Sequence, residues 1–398
     1  MNGVAIYVFL AMASHVLPEA DYSLLAVLWV TLFAAGNGVM QPLEQELARA
    51  VSERRARDVG VRPVVEKAAA LGLGFTAFVT VGLSVSSPWV LPRLFDGRVE
   101  MLLVLVLGLF SFAVVHMARG LLASHGRFRD YGTLFAVEGL SRPVVGAVLA
   151  AAAVTTAGAW GVLAAGAPLL AAAVSLRDPR PLLDEGPAAS WTELSKALGW
   201  LLVGIASMAL IVNGGVVAVK ALAGEEDRAA AGVFLNGLLI ARSPLFLFQA
   251  VLASLLPRLS HMVGSERWDD FDAALGRLRR LLLVLGACGT LCAVAVGPIL
   301  VRGVFGVDGE LGGRDMGMLA VSAVLLMVAV AEGQGVIALS LHSRFATGWL
   351  AAFATFLVAL TFSDDLYWRV ETALVASAAV ALSWMRIASA RGLSRRRQ

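Results

Sequence analysis

Apolar residues run in blocks long enough to cross a bilayer, separated by short polar segments rich in arginine. Twelve such blocks can be laid along the 398 residues, at 3–20, 24–46, 64–86, 100–123, 132–153, 157–176, 194–219, 231–256, 280–301, 316–340, 346–363 and 369–388. A helix needs ~20 residues to cross a ~30 Å hydrocarbon core, and the longer blocks fit tilted or cavity-lining helices that project beyond it. The pattern predicts an all-α polytopic membrane protein of about twelve transmembrane helices. Two boundaries rest on few residues: the split between 132–153 and 157–176, and the turn at Asp364 and Asp365. Composition agrees, with 59% hydrophobic and 15% charged residues, against roughly 25% charged in a soluble domain.

The placement of the basic residues orients the chain. With both termini in the cytoplasm, the inner segments carry Arg54, Arg55, Arg57 and Arg62, then Arg119, Arg127 and Arg129, then Arg177, Arg180 and Lys196. They continue with Arg258, Arg267, Arg277, Arg279 and Arg280, then Arg344, and end in the tail Arg391, Arg395, Arg396 and Arg397. The outer segments hold a thinner set: Arg93, Arg98, Lys220, Arg228, Arg302, Arg314 and Arg369. Short loops with the basic excess stay inside, so the expectation is N-in and C-in, multi-pass, in a cytoplasmic membrane. A net charge of +3 gives no reason to expect nucleic acid as a partner. The first span opens beside Met1 with no basic run before it, so it reads as a span and not as a cleaved signal. The same opening fits an upstream stretch absent from this sequence. Cys288 and Cys292, one helical turn apart, are too few for a structural metal site and read as buried apolar thiols.

Segment 177–193, RDPRPLLDEGPAASWTE, is rich in proline and charge and follows the sixth block. It divides the chain into a six-helix bundle at 1–176, a cytoplasmic linker at 177–193, a second six-helix bundle at 194–388 and a basic tail at 389–398. A faint echo joins the halves: Asn2-Gly3 against Asn213-Gly214, and Pro42 against Pro244. Paired helical repeats are the architecture of alternating-access transporters, although a repeated half also occurs in membrane proteins that transport nothing. Segment 258–280 places Trp268, Phe271, Leu275 and Leu278 at helical spacing. It reads as an amphipathic helix on the inner leaflet, or else as a soluble loop into the ninth block.

Several polar groups inside the blocks need a reason. In QPLEQELAR, residues 41–49, Gln41, Gln45 and Arg49 share a face, while Glu44 and Glu46 point elsewhere and Glu46 can reach Arg49. Pro42 can bend this helix. The cluster lines a gate or vestibule, or it is a helix end emerging into the cytoplasm with a local ion pair. Arg142 sits mid-block with Glu138 four residues earlier on the same face. Each charge lowers the cost of burying the other, and a guanidinium fork suits a phosphate or pyrophosphate, so substrate contact and structural pairing both stand. Arg242 shares its block with Asn236 and Gln249 and has no nearby acid, so its partner comes from another helix, lipid or ligand. Glu332 and Gln334 lie among glycines that permit close packing or local unwinding, and Glu332 is the candidate titrating carboxylate. HExxH, P-loop, CxxC and GxSxG signatures are absent, and the five histidines show no ligand spacing. The expectation is a non-enzyme without a cofactor.

The opening NGVAIYVFLAMASHVLPEADYSLLAVLWVTLF, the following QPLEQELARAVSERRARDVG and RPVVEKAAALG, together with two sets of six spans, resemble actinobacterial polysaccharide biosynthesis or export membrane proteins. These belong to the multidrug/oligosaccharidyl-lipid/polysaccharide exporter superfamily. The resemblance implies a flippase or exporter fold in which two lobes alternate access and move an undecaprenyl-pyrophosphate-linked glycan between leaflets. It implies membrane lipid and that glycan as partners, with a glycan polymerase or glycosyltransferases and a coupling proton or sodium ion beside them. Arg142 and Arg242, with Arg49 at the inner rim, would then meet the pyrophosphate, helped by Gln249 and Asn236, while Glu44, Glu46, Glu138, Glu332 and Gln334 would serve coupling or gating. Two other readings stay open: a cation-coupled small-molecule antiporter with an acid-rich pocket, and a non-transporting scaffold for envelope assembly.

Overall fold

The computed structural model describes residues 2–177, 182–194, 198–224, 227, 229–306 and 311–396. Arg180, Lys196, Arg228 and Arg397 lie outside this set, as does the side chain of Gln249. The described residues form α1 (Asn2–Val16), α2 (Glu19–Ala35), α3 (Gln41–Arg55), α4 (Arg62–Leu94), α5 (Val99–Ser124), α6 (Phe128–Ala151) and α7 (Ala157–Ser175). They continue with α8 (Leu198–Leu222), α9 (Ala230–Gly264), α10 (Trp268–Phe305), α11 (Gly313–Ala338), α12 (His342–Ala359) and α13 (Leu366–Arg396). Helices α2 and α3 are one rod joined by a π-helical turn at Gly36–Met40, so each expected apolar block has a helical rod on it. Nine of these rods, among the described residues, are long and apolar enough on their own to cross a membrane. The chain is a multi-pass membrane protein.

The π turn has a local cause. Pro42 cannot donate a backbone bond and its ring crowds the carbonyl four residues earlier, so the wider turn at 36–40 absorbs the misfit without breaking the rod. The two boundaries resting on few residues are real turns: Ala153 takes positive φ between α6 and α7, and the chain reverses between α12 and α13. Glycines 333 and 335 serve close packing and not unwinding, since α11 runs through them against Phe345 and Leu275.

The chain divides into two compact units, residues 1–202 with 224–232, and residues 203–223 with 233–398. In the first, α5 is the centre, packed on α2, α3, α4, α6 and α7, while α1 lies against α6. In the second, α11 is the centre, packed on α10, α12 and α13. Burial follows: 61% of the apolar stretch of α5 and 72% of that of α11 are covered, against 17% for α4 and for α10. The fourth rod is the centre of contacts in each unit, joined in the first by the second rod, which is 71% covered, and the third turns most of its surface outward.

That exposure overturns two expectations. Cys288 and Cys292 are exposed on α10, not buried, because that helix is covered along one side only. Nor is 258–280 a separate surface helix. Residues up to Gly264 finish α9, and Trp268 begins the 38-residue α10, whose early apolar face (Phe271, Leu275) enters the core of the second unit.

Residues 182–194, most of the expected linker and the first residue after it, form a strap packed on the first unit. Leu182, Ala189 and Leu194 are buried in its apolar clusters, and Lys67 lies 4.6 Å from the Trp191 ring centre. Arg54 is the latch: its Nε and Nη2 donate to the two carboxylate oxygens of Glu193 at 2.8 and 3.1 Å, and its Nη1 donates to Gly60 O and Pro187 O. Gly60 and Gly186 carry no side chain where the two backbones pass, because a Cβ at either would strike the other segment. Arg54 holds the Glu193 carboxyl at about 2, below its ordinary 4.5. A depressed carboxyl contributes stability above the unfolded value and loses it as protons bind the folded form. The latch should therefore be intact above about pH 4.5 and fail as pH falls towards about 2. Cleavage of 182–194 by an acid protease should rise over that window, and Glu193→Gln should be cleaved more readily than wild type above it, with a flatter pH profile. Equal cleavage of wild type at both ends of the window would refute the latch.

Candidate functional site

Five ionisable side chains from three rods meet in the core of the first unit. Glu138 on α6 is buried, and its two oxygens take different arginines: Arg142 Nη2, one turn along the same helix, donates to Oε1 at 3.3 Å, and Arg119 Nη2 from α5 donates to Oε2. One turn before Arg119, His116 Nδ1 lies 2.7 Å from Glu44 Oε2 of α3. The π turn makes room for this approach, since a Cβ on Gly36 would enter the Phe112 ring beside His116.

Arg142 is 1% exposed, the most buried cation among the described residues. Its guanidinium lies 5.4 Å from the centre of the Trp29 ring, and Trp29 stacks with Phe33 and touches Phe9. Arg119 similarly lies 4.4 Å from the Phe135 ring centre. Aromatic faces and a shared carboxylate are what keep two cations inside the helical bundle tolerable. Satisfaction is incomplete: Nε of both arginines lacks a hydrogen-bond partner. The second unit repeats the ratio. Glu332 of α11, 1% exposed, has Arg279 Nη1 of α10 at 2.6 Å and Arg386 Nη1 of α13 at 3.5 Å, both on Oε1, while Oε2 has no hydrogen-bond partner.

The structure thus joins Glu44, Glu138 and Arg142 in one cluster and adds His116 and Arg119, which no sequence signal marks as members. Glu332, the candidate titrating carboxylate, is an ion-pair partner of two arginines. Arg242 of α9 finds a backbone partner, donating from Nη1 to Val212 O of α8, and its Nε has none. Asn236 is fully buried, and Gln334 is half-buried in α11. Gln41, Gln45 and Arg49 do share an exposed face, and Arg49 pairs with Glu46 and Glu53 and donates to Glu193 O of the strap. That end of α3 is an ion-paired helix end carrying the strap.

Comparison with known proteins gives the architecture a context. No family model matches the chain. The inward-facing form of a multidrug resistance MATE family transporter of the MOP superfamily aligns over 100% of this chain and 95% of its own, with a TM-score of 0.67 at 13% identity. The outward-facing form gives 0.60 over 100% and 93%, also at 13% identity. The chain has the fold of a MATE transporter. In sequence it is similar to the uncharacterised protein Rv1510 of Mycobacterium tuberculosis, 27% identical over 93% of this chain and 84% of the relative. A second protein of that organism, Rv3630, is 26% identical over 87% and 79%.

Removing a buried ion-pair partner typically costs ~3–5 kcal/mol, because the stranded charge stays in low dielectric. Glu138→Ala should therefore lower the unfolding free energy in detergent by about that amount. Adding Arg142→Met should recover part of it, since one orphaned cation is gone. Glu138→Ala at wild-type stability would remove the ion-paired cluster from this account.

Proposed function

We propose that the chain is an alternating-access transporter that moves an anionic, lipid-linked oligosaccharide or polysaccharide precursor across the cytoplasmic membrane, with both termini on the cytoplasmic side. The carrying observation is an excess of arginine over carboxylate in the paired clusters: the buried Arg142 and nearly buried Arg119 on Glu138 in one unit, the partly exposed Arg279 and Arg386 on Glu332 in the other, with Arg242 bonded to a backbone carbonyl. Guanidinium groups with unused donors fit a pyrophosphate, which takes them bidentately. Glu138 then occupies the arginines in the absence of substrate and yields them when a stronger anion arrives. The MATE-like fold supports a transporter in general. A lipid-linked glycan is a further step, resting on the arginines and on the resemblance of residues 2–72 to polysaccharide exporters.

A second reading, cation-coupled export of a small molecule, is favoured by one observation: a buried carboxylate, Glu371, to which no arginine is bound. The multidrug resistance transporter that shares this fold points the same way.

Purified protein in liposomes, given a fluorescent undecaprenyl-pyrophosphate glycan, separates the two. The lipid should move from the leaflet on the side of the termini to the opposite one. Arg142→Lys, which keeps the charge and loses the fork, should slow it about tenfold or more, the equivalent of one charge-assisted hydrogen bond. Folded wild type that leaves several such glycans in place but exchanges a small cation against a proton or sodium gradient would transfer the assignment to the second reading.

A further inference from the structure

Glu371 lies in the second turn of α13 with no exposed surface, and neither carboxylate oxygen has a hydrogen-bond partner. Glu44, Glu138 and Glu332, by contrast, are each bound by an arginine or a histidine. The cation whose charge acts on it is already committed: Arg314 at the start of α11 donates from Nε and Nη2 to Asp315 Oδ1 at 2.9 and 2.7 Å, and its guanidinium lies 5.2 Å from the Trp368 ring centre. Asp315 spends its other oxygen capping α11, accepting from Gly312 N at 2.7 Å. From α11, Glu371 therefore feels the charge of Asp315 and of the arginine bound to it, and from the turn before α13 that of Asp365. On its own helix Arg369 turns to Leu222 O of α8, the helix that also brings the buried Lys220 to this end of the unit. A carboxylate out of water, unbonded and beside a like charge is among the costliest groups a protein can hold, and a bound proton removes the charge.

We propose that Glu371 is a proton-binding site of the second unit, loaded as the neutral acid in this arrangement and discharged as a carboxylate plus a proton passed to water at the end where α11 and α13 begin. Discharge sets two carboxylates side by side, and Glu371 then competes with Asp315 for Arg314. The arginine leaves Trp368, and the cap of α11 loosens. A single proton thus acts on the pairing of α11 and α13, the central contact of that unit. The site does not depend on the cargo, and a proton gradient could drive either reading above.

Infrared spectroscopy of the full chain in nanodiscs reads this without any substrate. Protein labelled with carbon-13 at the glutamate carboxyls should show, at neutral pH, the isotope-shifted C=O band of a protonated, poorly hydrogen-bonded acid. The band should fade on raising the pH, together with a change in tryptophan emission that Trp368→Phe removes. Glu371→Gln should lack the band, and Glu371→Asp should keep a protonated-acid band without the isotope shift. If no labelled acid band is present in wild type at neutral pH, or if sodium at constant pH and not protons moves it, the proposal fails. A band that persists in folded Glu371→Gln would also overturn it. Absence of glycan transport would leave this result untouched.

Discussion

A glutamate taken out of water into a helical bundle must be neutralised where it lies, and the interior of each unit is arranged around that demand. Glu138 draws Arg119 from α5 and Arg142 from its own helix, and Glu332 draws Arg279 and Arg386 from the helices on either side of α11. These pairs tie central helices to their neighbours, and they hold more positive than negative charge. A buried ion pair seldom stabilises more than a well-packed apolar equivalent. Under the transport proposal, the second arginine on each glutamate is held for use and not for stability.

The two units solve the same problem with the roles exchanged. In the first, the central rod α5 supplies one arginine, and the glutamate stands with the other on the fifth rod; in the second, the central rod α11 supplies the glutamate and its neighbours the cations. The third rod of each unit, α4 and α10, is the least covered in both.

Spans and their turns are readable from hydropathy because burial in lipid is set by composition over twenty residues, a long-range average that single misplacements do not spoil. Glu138 and Arg142 are readable because their spacing of four makes them neighbours on any helix. Arg119, His116, Arg279 and Arg386 are not, since their partners lie on other helices and sequence distance carries no trace of that contact. Glu371 escapes for another reason. Two residues from Arg369 and close to Asp364 and Asp365, it looks like part of a solvated turn, and only its burial in the structure shows that it is closed off. The cysteines err the other way: an apolar helix reads as buried, yet in a membrane protein its outer face meets lipid.

If Glu138 is an internal stand-in for the anion carried, removing its charge without removing its shape should free Arg119 and Arg142 for that anion. Native mass spectrometry of undecaprenyl pyrophosphate binding to wild type and to Glu138→Gln, both folded in the same detergent, measures this directly. The account predicts tighter binding to the variant, by about tenfold or more, corresponding to ~1.4 kcal/mol of competition relieved. Equal or weaker binding would mean that the arginines hold the bundle together and have no part in taking up cargo.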